Sequence, residues 1–156
     1  MKALIVILML AVASATFAAD AKPFHVFTKN GEVSLEKLAG NVVYLDFWAS
    51  WCDPCRQSFP WMNQMHNQFA DSGLVIIAVN VDRDREKADK FLEKNPVNFM
   101  IGFDSEGTLA KAYDVKGMPS TYIIDRKGQL VASHIGFRDK DKGELQNKIV
   151  EALNSK

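Results

Sequence analysis

The chain has 156 residues, 19 basic and 19 acidic, so its formal net charge is zero, and 47% of its residues are hydrophobic. Balanced charge supplies no electrostatic handle for nucleic acid or an anionic membrane, so neither is expected as a partner. Two cysteines are too few for a miniature domain held by disulfides, and a chain of this length can build its own core.

The opening stretch "MKALIVILMLAVASATFAAD" has Lys2, an apolar run from Ala3 to Ala13, and small residues ending in Ala18 and Ala19. That is the layout of a secretory signal peptide, and the apolar run is short for a membrane span. The expected division is a signal peptide over 1–18 and one domain over 19–156. Lys2 leaves with the signal, so the mature chain carries 18 basic and 19 acidic residues.

Next, Phe24, Val26 and Phe27 precede Asn30-Gly31, a hairpin signal, with both aromatics expected to cover a sheet edge. Ser34 is placed to cap the short helical stretch "LEKLAG". "VVYLDFWA" at 42–49 is dense in β-branched and aromatic residues and predicts a central strand. A helix is predicted over 53–70, because Phe59, Met62, Met65 and Phe69 recur at helical spacing; Pro60 should bend it. The methionines there read as core, and His66, between the apolar positions, as solvated. "LVIIAVNV" at 74–81, apolar throughout, suits a buried parallel strand.

A charged helix with Ala88, Phe91 and Leu92 on its apolar face follows, then a strand over 97–103 and a helix capped by Ser105. "STYIIDRKGQLVASHIG" predicts two antiparallel strands meeting at Lys127-Gly128, with His134 an edge residue of the second. Leu145, Ile149, Val150 and Leu153 mark one side of a final helix. Strands alternating with helices, then a hairpin and a helix, argue an α/β sandwich about a mixed sheet. No repeat or linker divides it.

Both cysteines lie in "WASWCDPCRQSFPW" at 48–61. A structural zinc site takes four ligands, and His25, His66 and His134 are scattered, so no metal is expected; a copper site remains an arithmetical alternative. As a structural staple the pair would close too short a loop to remove much entropy from the unfolded chain. Redox exchange fits better. A strand ending at Ala49 and a helix starting near Cys52 put the first sulfur beside unpaired N–H groups that favour a thiolate. Cys55, one turn further in, can then resolve a mixed disulfide made at Cys52. Pro54 restricts the backbone between them, Asp53 opposes further negative charge on Cys52, and Arg56 can compensate. Asp46, in the middle of the predicted central strand, would be buried, which raises a carboxyl's pKa and suits it to acid/base work.

"YLDFWASWCDPC", Pro60 and "VKGMPSTYIIDRKGQL" together resemble the thioredoxin superfamily, and within it the exported TlpA/ResA-like thiol–disulfide oxidoreductases, from about residue 24 to 154. The resemblance implies a thioredoxin-like α/β/α sandwich with a central mixed sheet, an N-terminal hairpin and a central helix–strand insertion. It implies Cys52 as nucleophile, Cys55 as resolving thiol, Asp46 as buried proton acceptor and Pro119 as a cis-proline facing the cysteines. Trp51, Asp53, Pro54 and the backbone of Met118 would contact substrate, and Trp48 and Trp51 are the flanking aromatics. Asp53 before the proline and Ser120 in place of threonine depart from the commoner pattern. Relatives that reduce apocytochrome c often carry a further glutamate near the pair, for which Glu86 and Glu93 are candidates.

The expected function is reduction of protein disulfides in the periplasm, with apocytochrome c cysteines among the candidate clients. No cofactor is expected beyond the cysteines, a membrane thiol–disulfide donor is implied, and the protein is expected to act as a monomer. The alternatives are a copper- or partner-binding module and a thiol peroxidase. The latter needs an isolated cysteine in a Thr/Arg pocket that "PWMNQ" does not supply.

Overall fold

The structure, a computed structural model, describes residues 19–155; the expected signal peptide, residues 1–18, lies outside them. Eight strands form one mixed sheet: β1 (Ala19–Asp20), β2 (His25–Thr28), β3 (Gly31–Ser34), β4 (Val42–Trp48), β5 (Leu74–Asn80), β6 (Met100–Phe103), β7 (Ser120–Ile124) and β8 (Gln129–Ile135). Their spatial order is β1-β8-β7-β4-β5-β6-β2-β3. The helices are α1 (Asp53–Phe69), α2 (Arg85–Lys94), α3 (Thr108–Ala112) and α4 (Lys142–Asn154). This is the thioredoxin-like mixed α/β arrangement.

β4 lies centrally because all seven of its residues are buried. It pairs parallel with β5, across the α1 crossover, and antiparallel with β7. Side chains alternate along a strand. Val42, Tyr44 and Trp48 therefore share one face and pack with residues of α1, α2 and α4, including both cysteines. Val43, Leu45 and Phe47 face the other way, against Phe24, Leu38, Leu109 and Tyr113. α2 and β6 form the central helix–strand insertion, and β6 extends the parallel part of the sheet beside β5.

Several boundaries differ from the pattern-based expectation. The hairpin loop is Lys29-Asn30, with Gly31 (φ +111°) opening the return strand. β6 begins at Met100, not at 97. Ser105 caps nothing; Gly107, at φ +68°, delays the start of α3, and Asp114, at φ +56°, stands just past its end, so α3 has only five residues. The Asp104 carboxylate takes over, accepting from Ala110 N–H at 2.8 Å. Phe24 is buried as expected, but Phe27 is 69% exposed because it alternates with inward-facing Val26. His66 is half-buried, not solvated.

Arg126, which no pattern singles out, ties three remote segments together. It donates to Gly40 O and Ser72 O, each at 2.8 Å, and to Leu153 O at 3.2 Å. Gly102 performs a steric role where the hairpin meets β6: a Cβ there would lie 2.5 Å from Val26 Cγ2. Valine is stiff at χ1 and cannot swing clear. Gly102→Ala is expected to destabilise the fold by about 1–3 kcal/mol, the usual range for overpacking. Urea unfolding measures this, and an unchanged midpoint would mean that β2 shifts freely.

Candidate active site

β4 delivers the chain to the cysteines through a loop held at its base. Asp82, just past β5, accepts from Ser50 N–H at 2.8 Å and Ser50 Oγ at 3.0 Å. Asn80 Nδ2 donates to the same carboxylate at 2.8 Å, and Asn80 Oδ1 accepts from Asp82 N–H at 3.1 Å. The loop then closes with Cys52 N–H donating to Ala49 O at 3.1 Å.

Cys52 and Cys55 form a disulfide. Cys52 is the N-cap of α1, in extended conformation, and its Sγ accepts from Cys55 N–H at 3.2 Å. Pro54 stands in the first helical turn, where its missing donor loses nothing. Cys52 keeps 3% exposure and Cys55 none, so the outer sulfur is Cys52. Asp53 and Arg56 form an exposed ion pair at 3.2 Å, which offsets the negative charge beside Cys52.

Asp46 lies between Tyr44 and Trp48 on the strand face packed by the cysteine cluster. It is 1% exposed. One carboxylate oxygen accepts from Thr121 Oγ1 at 2.7 Å; the other, Oδ2, has no hydrogen-bond partner among the described residues. Tyr44 Oη lies 3.1 Å from the same Thr121 hydroxyl. Burial pushes the Asp46 carboxyl up to about 7, and the Thr121 hydrogen bond only partly opposes it. Burial, then the nearby Asp46 charge, raises the Tyr44 hydroxyl well above its ordinary value.

The Met118–Pro119 peptide is cis, and Met118 packs on the cluster that holds both cysteines. Gly136 N–H donates to Pro119 O at 2.7 Å, and Ser120 Oγ to Gly117 O at 2.6 Å, fixing this segment on both sides. Trp51 is 70% exposed beside Cys52, whereas Trp48 is fully buried. Met62 and Met65 are core. Glu86 and Glu93 are on exposed α2 positions, and Glu86 pairs with Lys90. Among the described residues no cluster of three or more His, Cys, Asp or Glu is placed to hold a metal. A cavity of about 650 Å³ between the Lys29–Asn30 turn, α2 and β6 has neither cysteine in its lining.

Pattern reading missed Thr121, the Tyr44 hydroxyl and the Ser50–Asp82–Asn80 set. Asn80 carried a signal, as an amide closing an apolar run. Thr121 carried none, since its role depends on strand register.

The AhpC/TSA family model matches residues 17–133. The chain belongs to that family. Its kinship with the ResA/TlpA-like branch of the thioredoxin superfamily is equally plain. ResA of Bacillus subtilis (strain 168), a thiol-disulfide oxidoreductase, is 35% identical over 113 residues, 72% of this chain and 63% of ResA's own length. The thioredoxin-like protein YneN of the same organism is 36% identical over 134 residues, 83% of this chain and 76% of YneN. Among solved structures, the one named as thiol:disulfide interchange protein DsbE from Chlorobium tepidum aligns with TM-score 0.85 and 47% identity, covering 88% of this chain and 97% of that one.

The raised pKa of Asp46 has a thermodynamic consequence. Its carboxyl holds a proton in the folded state up to about pH 7 but releases it near 3.8 when unfolded. Folding therefore takes up a proton between those values, and stability from this group falls as pH rises through that window, levelling off above 7. A shift of this size corresponds to a few kcal/mol, on the order of 4. Asp46→Asn should remove most of this slope and make the oxidised protein more stable than wild type at pH 8. Urea midpoints at pH 5 and pH 8 measure it; a slope unchanged by the substitution would mean that Asp46 ionises as easily folded as unfolded.

Proposed function

We propose that this protein is an exported thiol–disulfide oxidoreductase that reduces disulfides of other proteins with its own cysteine pair. The observation that carries this reading is the Cys52–Cys55 disulfide at the start of α1, with Cys52 outermost. In the reduced protein the Cys52 thiolate, favoured by the Cys55 N–H and the helix N-terminus, attacks a client disulfide. One client sulfur joins Cys52 and the other leaves as a thiolate. Asp46 takes the Cys55 proton, and the Cys55 thiolate attacks Cys52 Sγ, releasing the second client sulfur. The client gains two electrons and, with protons from solvent, two thiols; the enzyme ends as the disulfide. Trp51, Met118 and the segment at Pro119 receive the client, with Asp53 and Pro54 at the rim.

Reduction is the proposed direction because a buried, half-partnered Asp46 disfavours further negative charge behind the pair. Arg56 weakens the similar argument from Asp53, so Asp46 carries most of it. A reductant in an oxidising space needs a dithiol donor, which a membrane thiol–disulfide protein would supply to this periplasmic enzyme. The likeness to ResA supports apocytochrome c cysteines as clients. Membership in the AhpC/TSA family does not by itself favour peroxidase chemistry: Cys52 is bonded to a cysteine three residues away, and Arg56 is engaged by Asp53.

Insulin reduction tests the mechanism. Cys52→Ser should abolish turnover, and Cys55→Ser should accumulate a mixed disulfide through Cys52, whereas full turnover by Cys52→Ser would remove the mechanism. The captured partner in an extract of the source cells names the client. Equilibration with glutathione, followed by tryptophan fluorescence, should give a potential nearer to the roughly −270 mV of thioredoxin than to the roughly −120 mV of DsbA. A value above about −150 mV would reverse the direction and make the protein an oxidant.

A further inference from the structure

Asp46 takes the Cys55 proton only when its own carboxyl is ionised, and with a pKa of about 7 much of it is protonated at neutral pH, so a proton must first leave for solvent. Toward the cysteines the carboxyl is enclosed: Trp48 and Cys55 are fully buried and a docked client would cover Cys52. The strand register opens another direction. Asp46 stands opposite Thr121 of β7, and Thr121 opposite His134 of β8. Residues directly opposite in adjacent strands share a face, so the three side chains form one polar row running outward from the central strand. Among the described residues β1 pairs with β8 only at Gln129 and Leu130, and none pairs with His134 on the outer side of β8.

Two further features lie along that row. A cavity of about 230 Å³ is lined by Thr121, Ser133 and His134 and by Glu144, Leu145 and Lys148 of α4. At ~30 Å³ per water it has room for several, with polar groups to bind them. Beyond it, His134 Nε2, itself buried, lies 3.4 Å from Asp141 Oδ2, in ion-pair range but not aligned as a hydrogen bond. Asp141 is held by Arg138 through Nε at 3.2 Å and Nη2 at 3.4 Å. Desolvation pushes the Asp141 carboxyl up, but Arg138, with a smaller contribution from His134, holds it below the ordinary range. It is therefore ionised at neutral pH and can neutralise an imidazolium.

We propose that Thr121 and His134 form a proton exit from Asp46 to solvent, with His134 a positioning residue for the Cys55 step; this rests on the role given to Asp46 above. Protonated Asp46 passes its proton to Thr121 Oγ, the hydroxyl releases its own proton to water in the cavity, and His134 Nδ1 accepts it and returns it to bulk, with Nε2–H facing Asp141. One proton leaves Asp46, one enters solvent, and no electron moves. Tyr44 Oη, 3.1 Å from the hydroxyl, orients it. The charged groups facing the route are Asp141 and Arg138 beside His134, and Glu144 and Lys148 from α4. Asp46 itself faces Tyr44, Thr121 and the cysteine cluster.

The test is single-turnover oxidation of the reduced protein by a peptide disulfide from pH 5 to 9, read by tryptophan fluorescence. His134→Ala should slow it roughly tenfold at neutral pH, below the ~10²-fold lower end for a direct acid–base group, with the glutathione equilibrium unchanged. Added imidazole should restore the rate in proportion to its free-base form, which no packing role would produce. His134→Gln, which preserves side-chain bulk but cannot titrate, should show the same loss should the alanine variant disturb the edge strand. Thr121→Val should be slow and not rescued. Adding His134→Ala to Asp46→Asn should cost nothing further. Wild-type rates in both His134 variants, a loss that imidazole does not restore, or additive losses in the double variant would each overturn the exit. An unchanged pH profile in Asp46→Asn would overturn the Asp46 reading and the exit together; a changed profile there with normal His134 variants overturns the exit alone.

Discussion

Asp46 is the fifth residue of a strand whose every side chain is buried, and among the described residues a single hydrogen bond, from Thr121, serves its carboxylate. A buried carboxylate with a free oxygen is expensive when ionised and inexpensive when protonated. That imbalance places its titration near neutrality, where a thiol proton can be accepted and returned. β7 must lie beside β4 in this register to bring the threonine to it, and α1 must cover the same face to bring the cysteines. Sheet order and helix placement are thus both tied to one carboxyl.

The cysteine pair gains its asymmetry from the backbone. Capping leaves Cys52 at the surface end of α1, with an N–H aimed at its sulfur, and puts Cys55 inside. The loop cannot drift from this position because Asp82 grips Ser50 with two hydrogen bonds, and Asn80 grips Asp82. On the opposite side, the hydrogen bonds at Gly136 and Gly117 hold the cis-peptide segment against its neighbours. The surface around Cys52 is therefore a seam between two hydrogen-bonded loops, with exposed Trp51 on its rim.

Much of this was legible in the residues. The central strand, the long helix after it, the second buried strand and the closing hairpin with its helix follow from apolar density and spacing, which act locally. The pair's chemistry was legible because strand–Cys-x-x-Cys–helix is itself a local arrangement. Asp46 stood out as a charge inside an apolar strand. Boundaries were less legible where the backbone turned left-handed: Gly107 delayed the start of a predicted helix and Asp114 stands just past its end, and nothing in hydrophobic spacing reports those φ values.

Taken alone, the sequence determined the fold class, the order of its elements and the two reacting sulfurs, because propensity, periodicity and helix-start chemistry act over a few neighbouring residues. Only the tertiary structure decided which groups meet Asp46. Thr121 lies 75 positions away along the chain, and His134 is joined to it only by strand register. The Arg126 clamp between Gly40, Ser72 and Leu153 was likewise decided by packing. The reason is physical: a hydrogen bond needs its partner within about 3 Å, and such proximity between distant segments comes from sheet order and register, which pattern within one segment does not contain.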